Sequence, residues 1–324
     1  MHLSLLTTLA LTTLGQAGSL RSLQCAYSFD LDRASHPNWM ESVPGQYQLG
    51  ALSIPGTHNS MTYSMYFDED RQCQNTPLSS QLNAGIRYLD ITGRTQRGSD
   101  ADPDRNIIQV YHKNVDTGNS LDSVLGDIFN FLQANPSEAI IMRLEKDNDA
   151  PSDAPIFEDV LEEYLFYDTE MGQRARDYLY RTNGRNGYEL PTLGDLRGKL
   201  LILQDFYTKK RGLFGVPWDS SKISVVDWKL TFAGFGKDKK WSSISDGITA
   251  AEKEKKNKLH VTHVSLSHGP PPYKGAGGPR SGMNDRLGNY LGYDNAKRVG
   301  ILVMDFPGEV LVDQIIGLNS ALSS

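Results

Sequence analysis

No apolar stretch in the 324-residue sequence is long enough to cross a bilayer, which takes about 20 consecutive residues in a helix. No block of lysine and arginine stands out either. The 33 basic and 39 acidic residues leave a formal charge of -6, which argues against nucleic acid as a partner. There is no glycine-rich dinucleotide loop, no HExxH, no internal repeat and no second-domain linker, so the usual signatures of nucleotide-cofactor and zincin chemistry are missing. Cysteine is scarce. Cys25 and Cys73 are the only two, and they allow one disulfide or stand as two buried thiols.

What is present is a globular composition, 39% hydrophobic, enough for a sizeable core. The N-terminus runs apolar from Leu3 to Leu14 and then turns to small residues. That pattern is expected for a secretory signal cut after Ala17, although no Lys or Arg precedes the run. Residues 18–324 would then form one secreted, extracellular domain, expected to be a monomer. Strand-length apolar runs follow: "ALSI" at 51, "IRYLDI" at 86, "IIQVYH" at 107, "AIIMRL" at 139, "KLLILQ" at 199, "SVVDW" at 224, "HVSLS" at 263 and "GILVMDF" at 300. Several are continuous rather than alternating, as in strands buried on both faces of a parallel sheet. Helical spacing appears between them, at 121–135 and 157–166, which predicts a single-domain α/β fold, a (β/α)8 TIM barrel. Irregular gaps and the Gly/Pro-rich stretch 267–284 predict that the barrel is distorted.

In such a barrel, chemistry gathers where the strands end at their C-terminal side. His58 and Asn59 follow the first run, Asp90 ends the second, His112 the third, Glu145 and Lys146 the fourth, and Asp305 the last. Two imidazoles with a carboxylate to orient one of them suit paired general acid and general base catalysis.

The segments "SIPGTHNS", "AGIRYLDITGR", "VYHK", "IIMRLEKD", "LGDLRGKLLIL" and "GILVMDF" resemble, in order and spacing, the phosphatidylinositol-specific phospholipase C X-domain family, and within it the small secreted or bacterial-type members. The resemblance runs from about Gln48 to about Phe306 and implies a distorted (β/α)8 barrel. It implies that His58 deprotonates the inositol 2-hydroxyl, that Asp305 orients His58, and that His112 protonates the departing diacylglycerol oxygen, giving a cyclic inositol phosphate. The implied substrate is phosphatidylinositol or a glycosylphosphatidylinositol-type lipid, met by peripheral contact with a membrane surface.

The sequence departs from both known family patterns for neutralising the phosphate. Small bacterial members carry an arginine two residues after the Asp90 position and calcium-dependent members an acidic residue; this chain has Thr92. Asn59, Asp90 and Glu145 correspond to calcium ligands, and oxygen donors suit Ca2+, so either calcium or no cofactor is expected. Without metal, the same three residues would support the histidines and Lys146, and Arg94, on the same side of an extended strand as Thr92, would bring the positive charge as a catalytic residue alongside Asp90. Asn59, Glu145, Lys146 and Tyr273 are candidate substrate contacts, with Tyr273 stacking on the sugar face. The loop "YTKKRGLFGVPWDS" combines Lys209, Lys210 and Arg211 with Leu213, Phe214 and Trp218, the mixture of an interfacial patch. His260 and His263 are read as structural residues near the barrel bottom, and His268 as a residue of the substrate rim. The rival readings are a metal-dependent glycerophosphodiesterase or sphingomyelinase D-like barrel, and a catalytically dead barrel that binds inositol lipids or glycans.

Overall fold

The computed structural model describes residues 26–98, 105–182, 189–229, 236–266, 269–278, 282–293 and 296–323. Residues 1–17, expected to be a secretory signal, Cys25 and His268 lie outside them. Ten strands form one sheet: β1 (Ile54–Thr57), β2 (Tyr88–Gln96), β3 (Ile107–His112), β4 (Val115–Ser120), β5 (Ala139–Lys146), β6 (Lys199–Asp205), β7 (Val216–Pro217), β8 (Ile223–Val226), β9 (Leu259–His263) and β10 (Ile301–Met304). Eight of them run parallel in the order β7-β6-β5-β2-β1-β10-β9-β8. Among the described residues, β7 and β8 do not pair with each other, so the barrel is distorted by an open seam.

The expected count of eight barrel strands holds, but with one exchange. The run at 107 is β3, which pairs antiparallel with the far end of β2 and with β4 in a projecting hairpin. The eighth parallel strand is the two-residue β7, too short to leave a pattern in sequence. The first run also sits earlier than the strand it announces, because Leu49–Ala51 is a 3-10 turn and pairing begins at Ile54.

Alternation along the strands sorts residues into two layers. Tyr88, Ile141, Leu201, Leu203, Val261, Ile301 and Val303 share the cluster that fills the barrel. Leu89, Ile91, Ile140, Met142, Leu144 and Ile202 face outward onto the helices Leu121–Ala134 and Phe157–Phe166. The parity carries on past the core, so each inward position near a strand's C-terminal end lands on the open face of the barrel. Gly56 keeps this arrangement possible beneath the first loop, since a Cβ there would meet the Tyr88 ring at 2.8 Å.

At the opposite end, Arg87 and Glu138 form a fully buried ion pair. Arg87 donates through Nε and Nη2 to Glu138, through Nη1 to the carbonyls of Leu82 and Ile86, and through Nη2 also to those of His36 and Pro37. Burial draws its pKa down to about 10 even with the carboxylate beside it. Removing one partner would strand the other charge in the core, so Glu138→Ala should lower unfolding stability by about 3–5 kcal/mol. Urea denaturation checks this, and a loss below about 1 kcal/mol would contradict the buried-pair account.

Candidate active site

The turn after β1 is braced from several sides before its functional side chains are placed. The His58 amide donates to the Met304 carbonyl, and Gln74 Nε2 donates to the carbonyls of His58 and Met304. The Ser60 hydroxyl accepts from the Asp90 amide. Asn59 and Phe306, the residues that follow His58 and Asp305, both adopt positive φ, 43° in each case. Non-glycine residues rarely do so, and cross-bracing of this kind holds such strained positions at functional sites. On the other side, Asn284 Nδ2 donates to the carbonyls of Asp305 and Phe306.

This framework sets His58 Nδ1 2.8 Å from Asp305 Oδ1. The ring of His112 stands at 76° to that of His58, with centroids 6.2 Å apart. His112 Nδ1 lies 2.9 Å from the Arg71 carbonyl. A carbonyl only accepts, so this nitrogen carries the hydrogen and Nε2 is left with its lone pair when the ring is neutral. Between the rings, Asn59 Nδ2 stands 2.9 Å from His58 Nε2 and 3.2 Å from His112 Nε2. Both Nε2 atoms therefore turn toward one point on the open face.

The two imidazoles sit in opposite fields. Burial disfavours charge on His58, but the Asp305 carboxylate, with Cys73 beside it, outweighs that and raises the pKa well above 6.5. Asp305 is 1% exposed, and among the described residues its second oxygen has no hydrogen-bond partner, which sharpens its demand for a cation nearby. At His112, burial and the neighbouring His58 and Lys113 all act in one direction and push the pKa down to about 4. A single proton shared by the pair thus rests on His58.

The expected calcium ligands meet a guanidinium instead. Arg143, two residues before Glu145 on β5, faces the interior and donates to Asp90 Oδ1 at 2.9 Å and to Asp205 Oδ2 through Nε and Nη2. It approaches Glu145 at 3.2 Å and lies 5.1 Å over the Trp218 ring. Burial opposes its charge, yet Asp90, Glu145, Tyr88 and Asp205 raise its pKa. In return, although burial opposes ionisation, Arg143 helps hold Asp90 down at about 2. Thr92 donates to Glu145 Oε2. Arg143 pairs with Asp90 and Glu145, and the three side chains expected for calcium fall short of the six to eight oxygens that this cation wants.

Several other candidates stand elsewhere. Arg94 does share the inward side with Thr92, but its guanidinium is engaged by Asp147 and Asn114 on the rim and lies over Tyr111. Lys146 has the parity of Met142 and Leu144, on the outward, helix-facing side. Tyr273 is buried in a small cluster with Phe29, Ala276 and Phe306, and its hydroxyl donates to Glu69, so its face is not offered to a sugar. In the loop after β6, Phe214 packs inward against Phe166 and Phe206. Lys210 pairs with Glu162 and Arg211 with Asp219.

His263 requires a correction. The seventh run begins at Leu259, so His263 ends β9 at the open face rather than preceding the strand, and its ring meets that of His58 edge-on at 5.9 Å. His260, of opposite parity, stays outside, 3.4 Å from Glu254. Arg143 and Asp205 were passed over altogether, although their signal was legible: each has the parity of an inward core residue two positions earlier, Ile141 and Leu203.

The fold and paired imidazoles define an α/β-barrel acid–base centre open at the strands' C-terminal ends. Residues 52–205 match the family described as phosphatidylinositol-specific phospholipase C, X domain. A 1-phosphatidylinositol phosphodiesterase from Listeria monocytogenes is 31% identical over 300 residues, spanning 87% of this chain and 84% of that protein. One from Staphylococcus aureus is 24% identical over 319 residues, 91% of this chain and 97% of the other. The solved phosphatidylinositol-specific phospholipase C from Listeria monocytogenes superposes with a TM-score of 0.71 at 28% identity, over 88% of this chain and 99% of that one. The chain belongs to the phosphatidylinositol-specific phospholipase C X-domain family.

The site geometry makes a direct statement about protonation. In an NMR titration of labelled histidines, His58 should titrate above 6.5 and His112 near 4, and Asp305→Asn should lower the His58 midpoint. An unmoved His58 in that variant would show that the carboxylate does not govern it.

Proposed function

We propose that this chain is a phosphodiesterase that cleaves phosphatidylinositol-type lipids into diacylglycerol and a cyclic inositol phosphate, without a metal cofactor. The observation that carries the reading is the oriented His58, backed by Asp305 and facing His112 with the Asn59 amide between them. His58 Nε2 takes the proton of the inositol 2-hydroxyl, that oxygen attacks phosphorus, and His112 Nε2 gives its proton to the glycerol oxygen as the bond to phosphorus breaks. The attacking hydroxyl is held next to the phosphate within one molecule, which removes much of the entropic barrier.

This order of transfers needs the shared proton on His112, whereas the empty site keeps it on His58. An anionic phosphodiester beside His112 favours the productive form, so substrate binding itself arms the acid. Arg143 supplies fixed positive charge next to Asp90, in the role that relatives give to an arginine on the neighbouring strand or to calcium. Glu145 and Asp205, with the face of Trp218 nearby, provide acceptors and an apolar wall suited to a polyhydroxylated ring.

The rim fits a lipid surface. Phe67 is 68% exposed and Tyr207 86%, with Tyr66, Ile156 and Leu213 also exposed; all five stand in loops that follow β1, β5 or β6 on the open face. Exposed aromatic and aliphatic side chains around a site are what an interfacial enzyme needs. Secretion, which the N-terminal segment suggests, would place the chain at outer membrane surfaces.

The test is turnover of phosphatidylinositol in vesicles. His58→Ala and His112→Ala should each lower it by at least ~100-fold, and Arg143→Ala by roughly 100-fold, the scale of one lost transition-state charge donor. A chelator should not reduce it. Phe67→Ala combined with Tyr207→Ala should depress turnover of vesicles but not of a soluble inositol phosphodiester. Near-full activity in either histidine variant would overturn the assigned roles, and loss of activity on chelation would restore the calcium reading.

A further inference from the structure

Four contiguous strands, in the order β2-β1-β10-β9, bring side chains of metal-ligating type to the same face of the barrel. One donor atom each from His58, Asp90 and His263 lies within 4.8 Å of the other two. Two of the three are held from behind in the way that metal ligands usually are. Asp305 holds His58 Nδ1, which leaves Nε2 as its donor. Arg143 holds Asp90 Oδ1, which leaves Oδ2. Asp227, just past β8, interacts electrostatically with His263.

His263 is the unexplained member of this group. It is 5% exposed, its ring stands edge-on to that of His58, and the carboxylates of Asp90 and Asp227 act on it. The scheme above gives it no work.

We propose that His58, Asp90 and His263 form a site for a divalent transition-metal ion of the zinc type, and that the ion, when bound, switches the phosphodiesterase off. Two imidazoles and one carboxylate suit such an ion and not calcium. Its occupancy takes the same Nε2 lone pair with which His58 would accept the inositol proton, so metal and catalysis exclude each other at one atom. Rotation of the Asn59 amide, now 2.9 Å from that atom, presents its oxygen as a fourth donor; water serves equally. The three side chains must draw together, because tetrahedral ligands at about 2.0–2.1 Å from zinc stand roughly 3.3 Å from one another. The inhibitory half rests on the functional reading above, and the binding half does not.

The experiment uses the whole chain with zinc and with cobalt as a visible probe. Calorimetric titration with zinc should show one site per chain, and cobalt should develop the absorption bands of a tetrahedral site. His263→Ala and the closer isostere His263→Gln should weaken binding by more than the ~10- to 100-fold that follows loss of a mere supporting partner. In vesicle assays zinc should inhibit the wild-type chain saturably, and the two His263 variants should resist it by the same factor, each measured against its own metal-free turnover. Wild-type affinity or zinc sensitivity in both variants would overturn the site. Binding that depends on His263 in a chain with no lipid turnover would uphold the site and defeat the functional reading.

Discussion

The bond from His58 Nδ1 to Asp305 Oδ1, 2.8 Å long, crosses the junction between β1 and β10, the first and last strands of the barrel in sequence. The two residues are 247 positions apart in the chain, and they meet only because β1 pairs with β10 in register, Thr57 beside Met304. Closure of the fold and assembly of the base are therefore one event. The backbone around the pair is braced accordingly: Gln74 ties both loops together, and Asn284 fixes the carbonyls after β10. Two strained residues, Asn59 and Phe306, mark where that bracing is concentrated.

Charge balance around this bond explains the rest of the site. Asp305 draws a proton to His58, and the proximity of His58 then denies one to His112. On the other side, Arg143 is locked among Asp90, Glu145 and Asp205. A guanidinium keeps its charge in such company and presents a rigid plane, which a mobile lysine would not. Lys240, 0% exposed on the helix Lys237–Lys253, adds a second interior cation within the field of Asp227 and Asp305, with burial bringing its pKa to about 8. The open face thus pairs buried carboxylates with fixed cations and leaves the His112 Nε2 lone pair in reach of a ligand.

Much of this was legible in the sequence because barrels expose periodicity. The apolar runs, the helices at 121 and 157, and the polar residues at strand ends follow from layer burial and from the place where parallel strands deliver their loops. What failed did so for identifiable reasons. Strand direction leaves no trace in composition, so β3 passed for a barrel strand. A two-residue strand such as β7 has no period to detect. "LHVTH" carries three polar residues, and the overlapping "HVSLS", with just as many apolar ones, drew the strand boundary onward and displaced His263 from the site. Tyr273 shows the limit of reading a loop: its ring is committed to Phe29 and Phe306, a tertiary contact that nothing local foretells.

The central claim is that Asp305 sets the proton affinity of His58 and that the imidazole pair works with one proton between them. The dependence of kcat/KM on pH reports the free enzyme's groups and addresses that claim most directly. The wild-type profile should be bell-shaped, its acid limb near the His112 value of about 4 and its alkaline limb at the raised midpoint of His58, above which the shared proton is lost. Asp305→Asn removes the influence that raises His58, so the alkaline limb should move to lower pH as the maximum falls. An alkaline limb that stays in place in that variant would contradict the account.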